Sequence, residues 1–99
     1  MFHHIEQNVV DWARERGIYS HSTPQDQFSK LLEEVSELHS ALCGDSLPDI
    51  IDGIGDCLVV LTNIAHQYDI NLTLCYSSAY SEIHKRTGEM REGKFVKDK

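Results

Sequence analysis

Phe28, Leu31, Val35, Leu38 and Leu42 recur at alternating spacings of three and four. An α-helix, with about 3.6 residues per turn, brings such positions onto one face, and a strand does not. A helix with that stripe must bury it against another element, so the stripe is expected to be core and the fold to rest on helix–helix contacts. Start and stop signals supply the other elements. The spacing of Ile5, Val9, Trp12 and Ala13 predicts a helix from Phe2 to about Arg16, stopped by Gly17, with Trp12 as core. The striped helix opens at Thr23-Pro24, a capping residue followed by a first-turn proline, and runs to Leu42 or Cys43, ending near Gly44. A third helix starts at Ser46-Leu47-Pro48-Asp49 and runs to about Tyr68. A fourth starts near Asn71 and runs to about Arg86, ending by Gly88. No segment reads as a strand: Val59-Val60 is β-branched but lies inside a helical pattern.

Four helices with short connections predict an all-α fold, a four-helix antiparallel bundle-like domain over residues 1–99, with 87–99 as a basic C-terminal tail. A chain this short buries only about 60–65% of its unfolded surface, so the bundle is expected to be completed by oligomerisation, as a homodimer or homotetramer.

The formal net charge is −7, which argues against a nucleic-acid polymer as partner. The charge is unevenly spread. Residues 1–84 carry Arg14, Arg16 and Lys30 against thirteen acids, a net of −10; residues 85–99 carry six bases against three acids, a net of +3. That suits a metal site beside an anionic substrate, and suits equally a solvated basic tail. The longest apolar run, Cys57-Leu58-Val59-Val60-Leu61, is far below the roughly 18 residues that span a bilayer, so no membrane association is expected. The start, Met1-Phe2-His3-His4-Ile5-Glu6, does not resemble a signal peptide, and the expected location is the cytoplasm. Three cysteines with no CxxC spacing (Cys43, Cys57 and Cys75) predict buried free thiols. No ExxH or HExxH occurs among the six histidines, which excludes di-iron carboxylate and zinc-hydrolase patterns.

The chemistry lies in acids. With about 100° per residue, Glu34 falls about 80° from the centre of the apolar stripe, Glu37 about 140°, and Glu33 about opposite. Glu34 and Glu37 are on adjacent turns and repel unless a cation neutralises them. On the third helix Ile50, Ile54, Cys57, Leu58, Leu61 and Ala65 form an apolar face, while Asp49, Asp52, Asp56 and Asn63 fall opposite. An acidic stripe leading into a segment apolar all round is costly without a counter-ion. A hard divalent cation with oxygen ligands meets that need. The pattern alone favours a solvated acidic face over a metal site, and Asp49 and Glu33 in particular read as surface residues.

Glu33-Glu34-Val35-Ser36-Glu37 followed by Gly53-Ile54-Gly55-Asp56 resembles the EExxE and ExxD motifs of the MazG-like all-α nucleoside triphosphate pyrophosphohydrolases. The first motif is complete. The second keeps its aspartate but has Gly53 for its glutamate, with Asp52 one residue earlier as a stand-in. The likeness extends along the chain to Lys85-Arg86 and the tail through Val96. It implies Mg²⁺-dependent hydrolysis of a nucleoside or deoxynucleoside triphosphate to monophosphate and pyrophosphate, with Mn²⁺ as a substitute ion. It implies Glu34, Glu37 and Asp56 as metal ligands with Asp52 as a fourth, and catalytic roles for Glu33 and Glu34. Lys85 and Arg86, with Lys30, are its phosphate-contact candidates. Asn63 would bond base or sugar, or equally be satisfied within the bundle. The Gly53 departure favours an alternative, a non-catalytic helical nucleotide-binding or regulatory protein on the same scaffold.

Overall fold

A computed structural model covers residues 1–99 and consists of five helices and one two-stranded sheet: α1 (Phe2–Glu15), α2 (Ile18–His21), α3 (Pro24–Gly44), α4 (Leu47–Gln67), α5 (Leu72–Ile83), β1 (Gly88–Arg91) and β2 (Lys94–Lys97). The chain is thus largely helical, as its periodicity predicts. The single-turn α2 is too short to show a period and was not expected. No helix is long and apolar enough to cross a membrane.

Local chemistry sets the boundaries. Gly17 takes a left-handed conformation, φ 77°, after α1, where a side chain would be strained. Thr23 Oγ1 accepts from the Asp26 N–H while the Asp26 carboxylate accepts from the Thr23 N–H, a reciprocal cap that fixes the start of α3. These bonds hold the Asp26 carboxyl below its ordinary pKa. The Asn71 side chain caps α5 by accepting from the Leu74 N–H. Glu6, buried on α1, adds a second tie by accepting from the Leu72 N–H and from Thr73 Oγ1.

Two residues, Asp45 and Ser46, join α3 to α4, and the pair folds back on itself as the most extensive contact in the chain. The α4-facing row of α3 is Gln27, Leu31, Glu34, Leu38 and Ala41, again spaced four and three. This corrects the expected core stripe. Phe28, Val35 and Leu42 are 53%, 49% and 56% exposed, because α3 is rotated to turn Glu34 inward. On α4, Ile51, Ile54, Leu58 and Leu61 are also exposed. Trp12 is exposed too, under the Arg16 guanidinium, rather than core. Cys43 and Cys75 are exposed and Cys57 half-buried, against the expectation of buried thiols.

The single chain therefore has a thin core. Only ten residues are buried, and the apolar ones are Val10, Ala13, Val60 and Ala65 with Gly53 beside them. Its accessible surface is 7651 Å², against about 5,700 Å² for a compact monomer of 11.3 kDa.

The C-terminal segment is a second correction: it contains strands. α5 ends at Ile83 rather than Arg86, and β1 and β2 pair antiparallel with Met90 opposite Phe95 and Glu89 opposite Val96. Glu92 and Gly93 both have positive φ, 49° and 80°, the turn geometry whose twist matches a tight hairpin. Glycine at position 88 lets the Phe95 ring close over the strand. Asn-Gly or Asp-Gly would have announced this turn; Glu-Gly does not.

Candidate metal centre

α3 and α4 bring three carboxylates together. Oxygens of Glu34, Glu37 and Asp56 all lie within 4.8 Å of one another. Glu34 and Glu37 are one turn apart on α3, and Asp56 comes from the facing turn of α4. Glu34 is 7% exposed. Its Oε1 lies 3.3 Å from Lys30 Nζ, one turn earlier. Its Oε2 is buried and has no hydrogen-bond partner. A buried carboxylate oxygen without a partner is costly, and here it sits beside two further carboxylates.

The electrostatics record the crowding. The Glu37 carboxyl is held above its ordinary value, first by the charge of Glu34, with Asp56 adding a smaller push and Lys30 opposing them. The Lys30 ammonium is held above its usual value by its bond to Glu34 and the charges of Glu33 and Glu34. The Cys57 thiol is pushed up mainly by burial, then by Glu34 and Asp56, which disfavours a thiolate nucleophile there.

The cluster opens into a cleft of about 400 Å³ lined by Glu37, Ser40 and Ala41 of α3 and Asp49, Asp52, Gly53 and Asp56 of α4. Asp52 stands on its rim, outside the group of three. Asp49, Ser40 and Ala41 were not anticipated there. For Asp49 the signal existed: it lies three residues before Asp52 and seven before Asp56, on one helical face.

Gly53 has a packing reason. A Cβ there would lie 3.1 Å from Leu38 Cδ1 and 3.2 Å from Leu38 Cα. Backbone meets backbone at this crossing, so a glutamate would force α3 and α4 apart. The cleft takes its extra acids from positions 49 and 52 instead.

The other candidates are distributed differently. Glu33 is exposed and forms no ion pair within 4.0 Å. Asn63 is 2% exposed; its Oδ1 accepts from Tyr19 Oη at 2.9 Å and its Nδ2 donates to Gln27 Oε1 at 3.2 Å. Of the two roles open to it, the structure has it satisfied within the helices. Burial, mainly, pushes the Tyr19 hydroxyl pKa up. Lys85 and Arg86 are exposed beyond α5 and do not line the cleft.

Comparison with known proteins gives one informative likeness. Over 68 residues the chain is 46% identical to a protein of Haemophilus phage HP1 described as an uncharacterized 18.2 kDa protein in the rep-hol intergenic region. The match covers 68% of this chain and 41% of that protein, so the chain spans less than half the length of its relative. No family model matches the chain. No solved structure matches it.

Proposed function

We propose that this chain is a Mg²⁺-dependent pyrophosphohydrolase of the MazG-like kind, hydrolysing nucleoside or deoxynucleoside triphosphates to the monophosphate and pyrophosphate in the cytoplasm. One observation carries the reading: the buried, unpartnered Oε2 of Glu34 beside Glu37 and Asp56. Three carboxylates with a desolvated, unsatisfied oxygen suit a small hard cation, Mg²⁺ or Mn²⁺. Glu34, Glu37 and Asp56 would hold the ion, with Asp52 on the rim. Such an ion neutralises phosphate charge and lowers the pKa of bound water. Glu33 is exposed and does not line the cleft; as the remaining carboxylate of the EExxE motif it is the group we assign to accept the proton of the attacking water.

A second copy of the chain belongs to this reading. The surface in excess of a compact monomer is about 2,000 Å², and a standard interface buries about 800 Å² per partner. The outward row Phe28, Leu32, Val35 and Leu42 on α3 offers apolar area for such a contact.

The test is incubation with each common nucleoside and deoxynucleoside triphosphate, with and without Mg²⁺, measuring pyrophosphate against orthophosphate. Mg²⁺-dependent pyrophosphate from wild type, absent with Glu34→Gln, is the expected result. No turnover of any of them by the folded protein would replace the reading with the non-catalytic one.

A further inference from the structure

On the nucleotide reading above, on which this inference rests, the bound phosphates require cations. A triphosphate needs positive charge, and the helical body has little: three bases, of which only Arg16 has no carboxylate within 4.0 Å. Arg14 pairs with Asp11 at 3.4 Å, Lys30 with Glu34 at 3.3 Å, and Arg16 lies 5.6 Å from the Trp12 ring centre. The remaining bases all lie in residues 85–99. Of these, Arg91 bonds to Glu89, while Lys85, Arg86, Lys94, Lys97 and Lys99 have no carboxylate within 4.0 Å. In their own chain none of them lines the acidic cleft.

The hairpin that carries them lacks a seat. All eight strand residues are exposed, and neither strand packs extensively on a helix. A two-stranded hairpin alone is marginally stable in water. Its register puts Met90, Phe95 and Lys97 on one face, with both apolar side chains exposed. The body has the complement: a groove of about 360 Å³ between α1 and α4, with Ile5, Val9, Ile51 and Leu58 as an apolar floor. Asp52 and Asp56, which also line the acidic cleft, stand at its edge. The chain's own hairpin does not reach this groove.

We propose that the hairpin Gly88–Lys97 is an exchanged arm, received in the α1–α4 groove of a second copy of this chain. Met90 and Phe95 seat on the apolar floor. Lys97, on the same face, meets the Asp52–Asp56 edge, whereas Lys94 lies on the opposite face, so that one copy's Lys97 would serve the phosphates of a nucleotide held through metal at the other copy's carboxylates. Charge complementarity supports the pairing: residues 1–84 are −10, and the hairpin is +1 within a C-terminal segment, residues 85–99, of +3. So does the surface area in excess of a compact monomer.

Two experiments on the full chain decide it. In the first, a photo-crosslinking residue replaces Phe95, and the protein is co-assembled with unmodified protein labelled with ¹⁵N. Crosslinks from the unlabelled arm to labelled α1 and α4 peptides are expected; crosslinks within one chain only, or none, overturn the proposal. In the second, Glu34→Gln is co-expressed with Lys97→Glu. Each alone falls at least about tenfold in turnover, and an equal mixture of the two recovers to about a quarter of wild type if the arm acts across a dimer. No recovery on mixing, with wild type active, overturns the exchange and leaves the nucleotide reading standing. Between-chain crosslinks with no turnover by wild type leave the arm standing and remove the nucleotide reading.

Discussion

The α3–α4 pair and the C-terminal hairpin are opposites in one chain. The pair is acidic, capped at its start and closely packed at Gly53, and it buries a carboxylate oxygen that nothing satisfies. The hairpin is basic, exposed along both strands, and carries lysines with no carboxylate beside them. A chain that simply optimised itself would bring these charges together. Their separation is what the proposed reading addresses, with a cation between the carboxylates and an anion beside the lysines. The difference also concerns rigidity. A helical pair with a backbone crossing holds its carboxylates in fixed positions, whereas a two-residue turn and two short strands can be seated by a partner surface.

The strongest way to break this comparison is to remove the unsatisfied oxygen. Glu34→Gln keeps the shape and removes the charge, and turnover should fall at least about a hundredfold, or about 2.7 kcal/mol of transition-state stabilisation. Circular dichroism should show the helices intact. An active Glu34→Gln enzyme would make the cluster an ordinary acidic face.

The crossing is next. Gly53→Glu restores the missing motif glutamate and should still destabilise the fold by about 2 kcal/mol, since overpacking of a close contact costs about 1–3 kcal/mol. Urea denaturation measures it. Unchanged or raised stability would mean that Leu38 and its backbone yield easily, and Gly53 would lose its packing explanation.

These two variants also show what the sequence made legible. The helices were readable because three-and-four spacing, Thr23-Pro24, Gly17 and Asn71 are local signals, and EExxE with Asp56 named all three clustered carboxylates. The rotation of α3 was not readable. Phe28, Val35 and Leu42 have the spacing of a core stripe, and only the fold shows that Glu34 takes the inward place while they remain exposed. Periodicity gives a helix its faces and does not say which face meets which neighbour. Trp12 and the cysteines failed for a related reason, since a thin single-chain core leaves apolar residues outside. The hairpin was missed because Glu92 is an unusual residue at positive φ, and its strands are only four residues long.

A smaller effect sharpens the metal half of the comparison. At ten times its dissociation constant, Mg²⁺ should stabilise wild type by about 1.4 kcal/mol and Glu34→Gln by much less, seen as a rise in melting temperature on adding Mg²⁺. An equal rise in both proteins would assign the ion to another place.

The smallest concerns the frame that holds the site. Thr23→Ala removes half of the reciprocal cap on α3 and should cost about 1 kcal/mol. The pH dependence follows from Asp26, whose carboxyl is held below its ordinary value in the folded state by the Thr23 bonds. That contribution is present above the unfolded carboxylate pKa and is lost as pH falls through the folded value. The gap between wild type and Asp26→Ala in urea denaturation should therefore narrow in acid, since the Thr23 N–H that Asp26 accepts from is main-chain and survives in Thr23→Ala. A gap that widens as pH falls would contradict the capping account.

The central claim is that Glu34, Glu37 and Asp56 form a divalent-metal site, and Mn²⁺ titration followed by electron paramagnetic resonance tests it without substrate. The account predicts that wild type depletes the free Mn²⁺ signal saturably, that Mg²⁺ displaces the ion, and that Glu34→Gln and Asp56→Asn, still folded, each abolish the binding. Equal Mn²⁺ binding by wild type and both variants, or none by wild type, would contradict it.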